Sequence, residues 1–119
     1  VRFLDLERSF IGDPAFDLAF LFAHYILEVT PRGFNQSLKF LTKCLAAYLK
    51  TITKYLPKRE VQALEKRLGK FLGVTLLYRI FGFYLVTAIK PNEKYWTTIA
   101  KNLLTGSLTI KNLAIKLRR

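Results

Sequence analysis

From residue 15 to about residue 29 the chain is almost wholly apolar, with Phe16, Leu18, Phe20, Leu21, Phe22, Ile26 and Leu27, and the run comes directly after Asp13-Pro14. Asp accepts backbone N–H bonds as an N-cap, and Pro fits the first helical position, where no N–H is needed. The pair therefore predicts a helix start. A helix that is apolar on every side has no face to give to water, so it belongs at the centre of a helical lobe. Thr30-Pro31-Arg32-Gly33 predicts its end.

The chain beyond Gly33 reads as further helices. Leu38, Leu41, Leu45, Leu49, Ile52 and Leu56 keep the three-and-four spacing of one buried face over about residues 35–56. Lys39, Lys43, Lys50 and Lys54 recur on another face, which reads as a solvated one. Pro57 breaks this helix. A third begins near Lys58 and runs past Gly69, Gly73 and Gly82 to about residue 89, with a bend or break expected at a glycine. Lys90-Pro91-Asn92 is a boundary, and a fourth helix is expected over about 93–104, stopped by Gly106. From 107 to 119 the apolar positions fit helix and strand equally. At the other end, residues 1–4 suit the end of a short buried β-strand and 5–12 a loop.

Residues 71–89 carry one charge, Arg79, and eleven Leu, Ile, Val or Phe side chains. A run of that length could span a bilayer. The apolar residues contribute about −3 to −7 kcal/mol to insertion against about +3 for a central Arg, so the sum alone does not decide. Glycines, the Tyr and Thr residues near Arg79, and a helical body able to bury it favour a core helix.

The 119 residues, 51% hydrophobic, suffice for one domain with a real core and exclude disorder as the dominant state. Cys44 is the single cysteine and His24 the single histidine, which excludes a disulfide framework and a Cys/His zinc site. No signal-peptide pattern is present, and Cys44 reads as an inert cytosolic thiol, so a cytoplasmic location is expected. The sequence contains no Met, and Val1-Arg2-Phe3-Leu4-Asp5 reads as the middle of a domain, so a processed or truncated piece is expected. Charge is lopsided: residues 1–34 hold three basic groups and five acids, a net of −2, and residues 35–119 hold seventeen basic groups and three acids, a net of +14. The cationic body would attract nucleic acid, anionic membrane or phosphorylated ligands.

The acids lie where chemistry would need them. A strand end delivers Asp5 to a loop, Glu7 comes two residues later, and the loop ends at a helix start carrying Asp13 and Asp17. A carboxylate held at a strand end suits a hard cation such as Mg²⁺, which takes one or two carboxylates plus phosphate oxygens and water. The plain reading of the same residues is two surface loop acids and two helix-capping ones.

The run Phe3-Leu4-Asp5-Leu6-Glu7, then Gly12-Asp13-Pro14-Ala15-Phe16-Asp17-Leu18-Ala19, resembles the small-molecule kinase superfamily of aminoglycoside phosphotransferases and choline kinases. Its signature here is a hydrophobic strand, Asp, one residue, Glu, a loop, then Gly-Asp-Pro, two residues and Asp-Leu-Ala. The close match covers about residues 1–28. The resemblance implies a mainly α fold, the helical C-terminal lobe of a protein-kinase-like fold with a short N-terminal β-strand. Residues 1–12 would be the metal-binding strand and loop, and 13–119 the helical subdomain. Asp5 matches the aspartate that binds the Mg²⁺ of Mg·ATP, the counterpart of the DFG aspartate of protein kinases. Glu7 would join the metal shell or orient its water. Asp17 resembles the aspartate that accepts backbone N–H bonds from the catalytic loop and holds its shape. Asp13 and Pro14 would start that helix, and Gly12 would give the turn its freedom.

The family's glycine-rich loop, ATP-binding lysine and His-Gly-Asp catalytic loop all precede the strand carrying Asp5, and none is in this chain. The resemblance thus implies the C-terminal part of an ATP-dependent kinase acting on a hydroxyl group of a small molecule, inactive without the N-terminal lobe of the same protein. Two alternatives stand beside it. One is a basic helical module binding nucleic acid or anionic membrane. The other is a noncatalytic, pseudokinase-like scaffold, which an upstream sequence lacking the His-Gly-Asp loop would favour. Among the remaining polar residues, His24 reads as packed or capping, Tyr95-Trp96 as core or lobe-surface packing ahead of lining a pocket for a cationic or sugar substrate, and Ser9 lacks an adjacent base.

Overall fold

The computed structural model describes residues 11–29, 34–82 and 92–116, with side chains at 11–28, 39–82 and 92–113. It is mainly helical, with 85% of these residues in helices and no strand among them. The expected strand over 1–4, with Asp5 and Glu7, lies outside the described residues.

Helix α1 (Pro14–Val29) opens as the Asp13-Pro14 pair dictates. Ala15, Ala19 and Ala23, spaced at four residues, are fully buried, with Phe22, Ile26 and Leu27 beside them. The other side of the helix is not covered: Phe16, Phe20 and Leu21 are each 38–50% exposed. The helix at the centre is α3 (Lys58–Phe81), which packs densely against α1 and against α4 (Glu93–Thr105). Its row Leu64, Leu68, Leu72, Leu76 and Ile80 repeats every four residues and is buried throughout. Rows at this spacing form the ridges by which helices interlock. The polar residues flanking the row kept its mean hydropathy low. Phe16 and Phe20 raised the hydropathy of α1 without being buried.

Helix α2 (Phe34–Ile52) buries Leu41 and Leu45, and Lys39, Lys43, Lys50 and Lys54 are exposed as expected. It stops at Ile52 rather than near 56. The amides of Lys54 and Tyr55 turn back on the Thr51 and Ile52 carbonyls at 3.1 and 3.0 Å. Pro57 disfavours helical backbone in the residue before it, so the chain leaves the helix early. Leu56 still packs on the core.

Helix α3 ends at Phe81, not near 89. It runs unbroken through Gly69 and Gly73 and stops at Gly82, whose backbone is extended. Of the long apolar run, residues 71–81 therefore belong to a core helix with Leu72, Leu76 and Ile80 inside, and 83–89 lie outside the described residues. No helix among the described residues is long and apolar enough to cross a membrane.

Trp96, Ile99, Ala100 and Leu103 bury one face of α4. Tyr95 remains 43% exposed beside Trp96. Gly106 ends the helix in the left-handed conformation, φ 79°, which a side chain would oppose. Within the ambiguous tail, 110–116 are helical: Thr109 Oγ1 accepts the Asn112 N–H at 3.2 Å and caps α5 (Ile110–Lys116), which buries Ile110 and Leu113.

Candidate functional site

Of the motif's acids, Asp13 and Asp17 lie at the N-terminal end of α1. Asp13 is fully engaged there. Its Oδ1 accepts the Ala15 N–H at 3.0 Å, and its main-chain carbonyl accepts the Phe16 N–H at 3.0 Å. Its Oδ2 accepts Arg67 Nε of α3 at 2.5 Å. The expected cap is thus also a tie between α1 and the central helix. Asp13→Ala should cost about 1–2 kcal/mol, mostly from the lost cap, because an ion pair this exposed adds less than about 1 kcal/mol. Urea unfolding of Asp13→Ala, Arg67→Ala and the double variant checks this, with a coupling energy below about 1 kcal/mol expected.

Asp17 lies one turn further on, exposed, and makes no side-chain hydrogen bond among the described residues. Gly12 is exposed in the loop before the helix. Tyr48 of α2 also reaches this end. Its hydroxyl is buried without a hydrogen-bond partner among the described residues. Burial first, then the negative charges of Asp13 and Asp17, hold its phenol above the ordinary value. Tyr48 stands beside Leu45 and Leu49 on a helix read as simply amphipathic, so the only sequence signal for it was one polar atom in an apolar stripe.

A second polar group joins α1 to α3. Arg79 Nη2 donates to the His24 ring at Nε2, and the guanidinium carbon lies 5.6 Å from the Phe20 ring centroid. The other ring nitrogen, Nδ1, lies 3.7 Å from Glu28 Oε1. The histidine is packed, as expected, and the lone charge of the apolar run has a partner. Burial, then the Arg79 charge, pull the His24 pKa below its ordinary 6.5, against a smaller opposing pull from Glu28. A lowered histidine favours the neutral form in the folded state, so the unfolded chain takes up the proton first on acidification. This contribution to stability is whole above about pH 6.5 and is lost as pH falls from there toward the lower folded value. Melting temperatures between about pH 7.5 and 5.5 should fall for the wild type and fall less steeply for His24→Gln.

As for a metal, the donor set implied for Asp5 and Glu7, two carboxylates two residues apart, suits Mg²⁺. Asp13 does not fit as a third ligand, since both its oxygens are engaged. The described residues contain no group of three or more His, Cys, Asp or Glu side chains placed to hold a metal ion. No family model, curated protein or solved structure matches the chain. What the fold defines is a mainly helical protein built around α3.

Proposed function

We propose that the chain is the C-terminal part of an ATP-dependent phosphotransferase of the aminoglycoside phosphotransferase and choline kinase type, acting on a hydroxyl group of a small molecule. The observation that carries this reading is the division of labour at the start of α1. Asp13 caps the helix and ties it to α3, and Asp17, one turn on, keeps its carboxylate open to solvent. An acceptor left open on an anchored helix is what a catalytic loop needs for its backbone N–H groups. Asp5 would hold Mg²⁺ with Glu7 beside it. The ion, when bound, supplies charge neutralisation at the transferring phosphate. The contribution of the chain's own residues is positional: α1 and α3, locked together by Asp13–Arg67 and the buried Ala and Leu rows, hold the helix start fixed.

An ATP-consumption screen of the full-length protein against a panel of hydroxyl metabolites tests the reading. Turnover with at least one acceptor is expected. No Mg-dependent ATP consumption with any acceptor would count against it and favour the scaffold alternative.

A further inference from the structure

We propose that the cleft between α3, the Gly106 turn and the start of α5 binds a small phosphate-bearing anion. The cleft has a volume of about 610 Å³, within the usual range for small-molecule sites. Lys66 and Lys70 stand on its α3 wall, both exposed and one turn apart, a spacing that puts two ammonium groups on one face. Gly69 lies between them, and a Cβ there would meet nothing within 4 Å, so the helix wall is bare where a ligand would approach.

Charge in the lining is one-sided. Its one acid, Glu65, is taken by Lys111, whose Nζ reaches across from α5 to the two carboxylate oxygens at 2.9 and 3.0 Å. Among the described residues no acid lies within ion-pair distance of Lys66 or Lys70, so the cleft holds two uncompensated cations. Gln62, one turn before Lys66, adds an amide able to orient a polar ligand. The net +14 of residues 35–119 raises the local concentration of any anion. A concave site of this size favours a small molecule over a duplex, which needs a long basic track rather than a cleft.

Calorimetric titration of the full-length protein with inorganic pyrophosphate, at physiological ionic strength and without Mg²⁺, tests the site. Saturable binding is expected, weakened about tenfold or more in Lys66→Gln/Lys70→Gln. Lys43→Gln/Lys50→Gln, which removes the same charge from the exposed face of α2, should change it less than about twofold. Gly69→Ala should also weaken binding by placing a methyl on the bare wall. The four lysines are exposed and a Cβ at Gly69 meets nothing within 4 Å, so melting temperatures should confirm folded protein. No saturable heat at millimolar pyrophosphate, an unchanged affinity in Lys66→Gln/Lys70→Gln, or an equal loss from both lysine pairs would overturn the proposal. So would a duplex DNA that binds more tightly than pyrophosphate and is weakened equally by both pairs.

Discussion

Replacing Gly73 by alanine is expected to destabilise the protein by about 2–3 kcal/mol, a fall in Tm of roughly 8–15 °C, through overpacking at a helix crossing. A Cβ at this position would stand 2.8 Å from the Ala100 carbonyl oxygen, 3.0 Å from Leu104 Cγ and 3.3 Å from Leu103 Cβ. The nearest of these atoms is backbone, which cannot swing aside as a side chain can. Relief requires α4 to move off α3, and α4 brings Trp96, Ile99 and Leu103 into the core. One turn earlier the same change has the opposite sign. At Gly69 the new methyl meets nothing within 4 Å, so alanine only removes the conformational freedom that glycine brings to a helix interior. Gly69→Ala should stabilise by about 0.5–1 kcal/mol. Urea or thermal unfolding of the two variants side by side separates close approach from helix propensity. Equal effects at both positions would contradict the packing of α3 on α4.

These two glycines also mark where sequence reading runs out. Composition and spacing announce a glycine that interrupts a helix, but not whether a neighbouring helix crosses there. Three boundaries were legible because each rests on local chemistry: Asp13-Pro14 opens α1, Pro57 separates α2 from α3, and Gly106 closes α4; the ends of α2 at Ile52 and of α3 at Phe81 were not. The identity of the central helix was not. Phe16 and Phe20 make α1 the more apolar sequence, yet their rings lie against each other, Phe16 also against Phe71, and both stay partly in water. Arg67 reaches Asp13 and Arg79 reaches His24 over more than fifty residues of chain. Periodicity tells which face of its own helix a residue occupies, and not which helix that face meets. Of the candidate site, the capping role of Asp13 was legible in its Pro neighbour. The tie to Arg67 and the arrival of Tyr48 were not.

On the phosphotransferase reading, Asp5→Asn in the full-length protein is expected to lower turnover by roughly 10²- to 10⁴-fold, an electrostatic loss on the order of 3–5 kcal/mol. Asparagine keeps the size and most hydrogen bonding of aspartate but removes the anion that would hold Mg²⁺ against the phosphates. Little loss of stability should accompany it. Asp17 should behave differently because its role would be structural. In the 119-residue chain its carboxylate is exposed and free of hydrogen bonds among the described residues, so Asp17→Asn should shift stability by less than about 0.5 kcal/mol. On the phosphotransferase reading a catalytic loop of the full-length protein would donate its N–H groups to that carboxylate, and asparagine would leave one acceptor and add an unwanted donor. Both Tm and turnover should then fall. The metal-binding role that the kinase reading gives Asp5 is tested most directly by the turnover of full-length Asp5→Asn at saturating Mg·ATP with a working acceptor. A loss of several orders of magnitude with an unchanged Tm is the expected result, and near-normal turnover would contradict the metal-ligand role of Asp5 and the phosphotransferase reading with it.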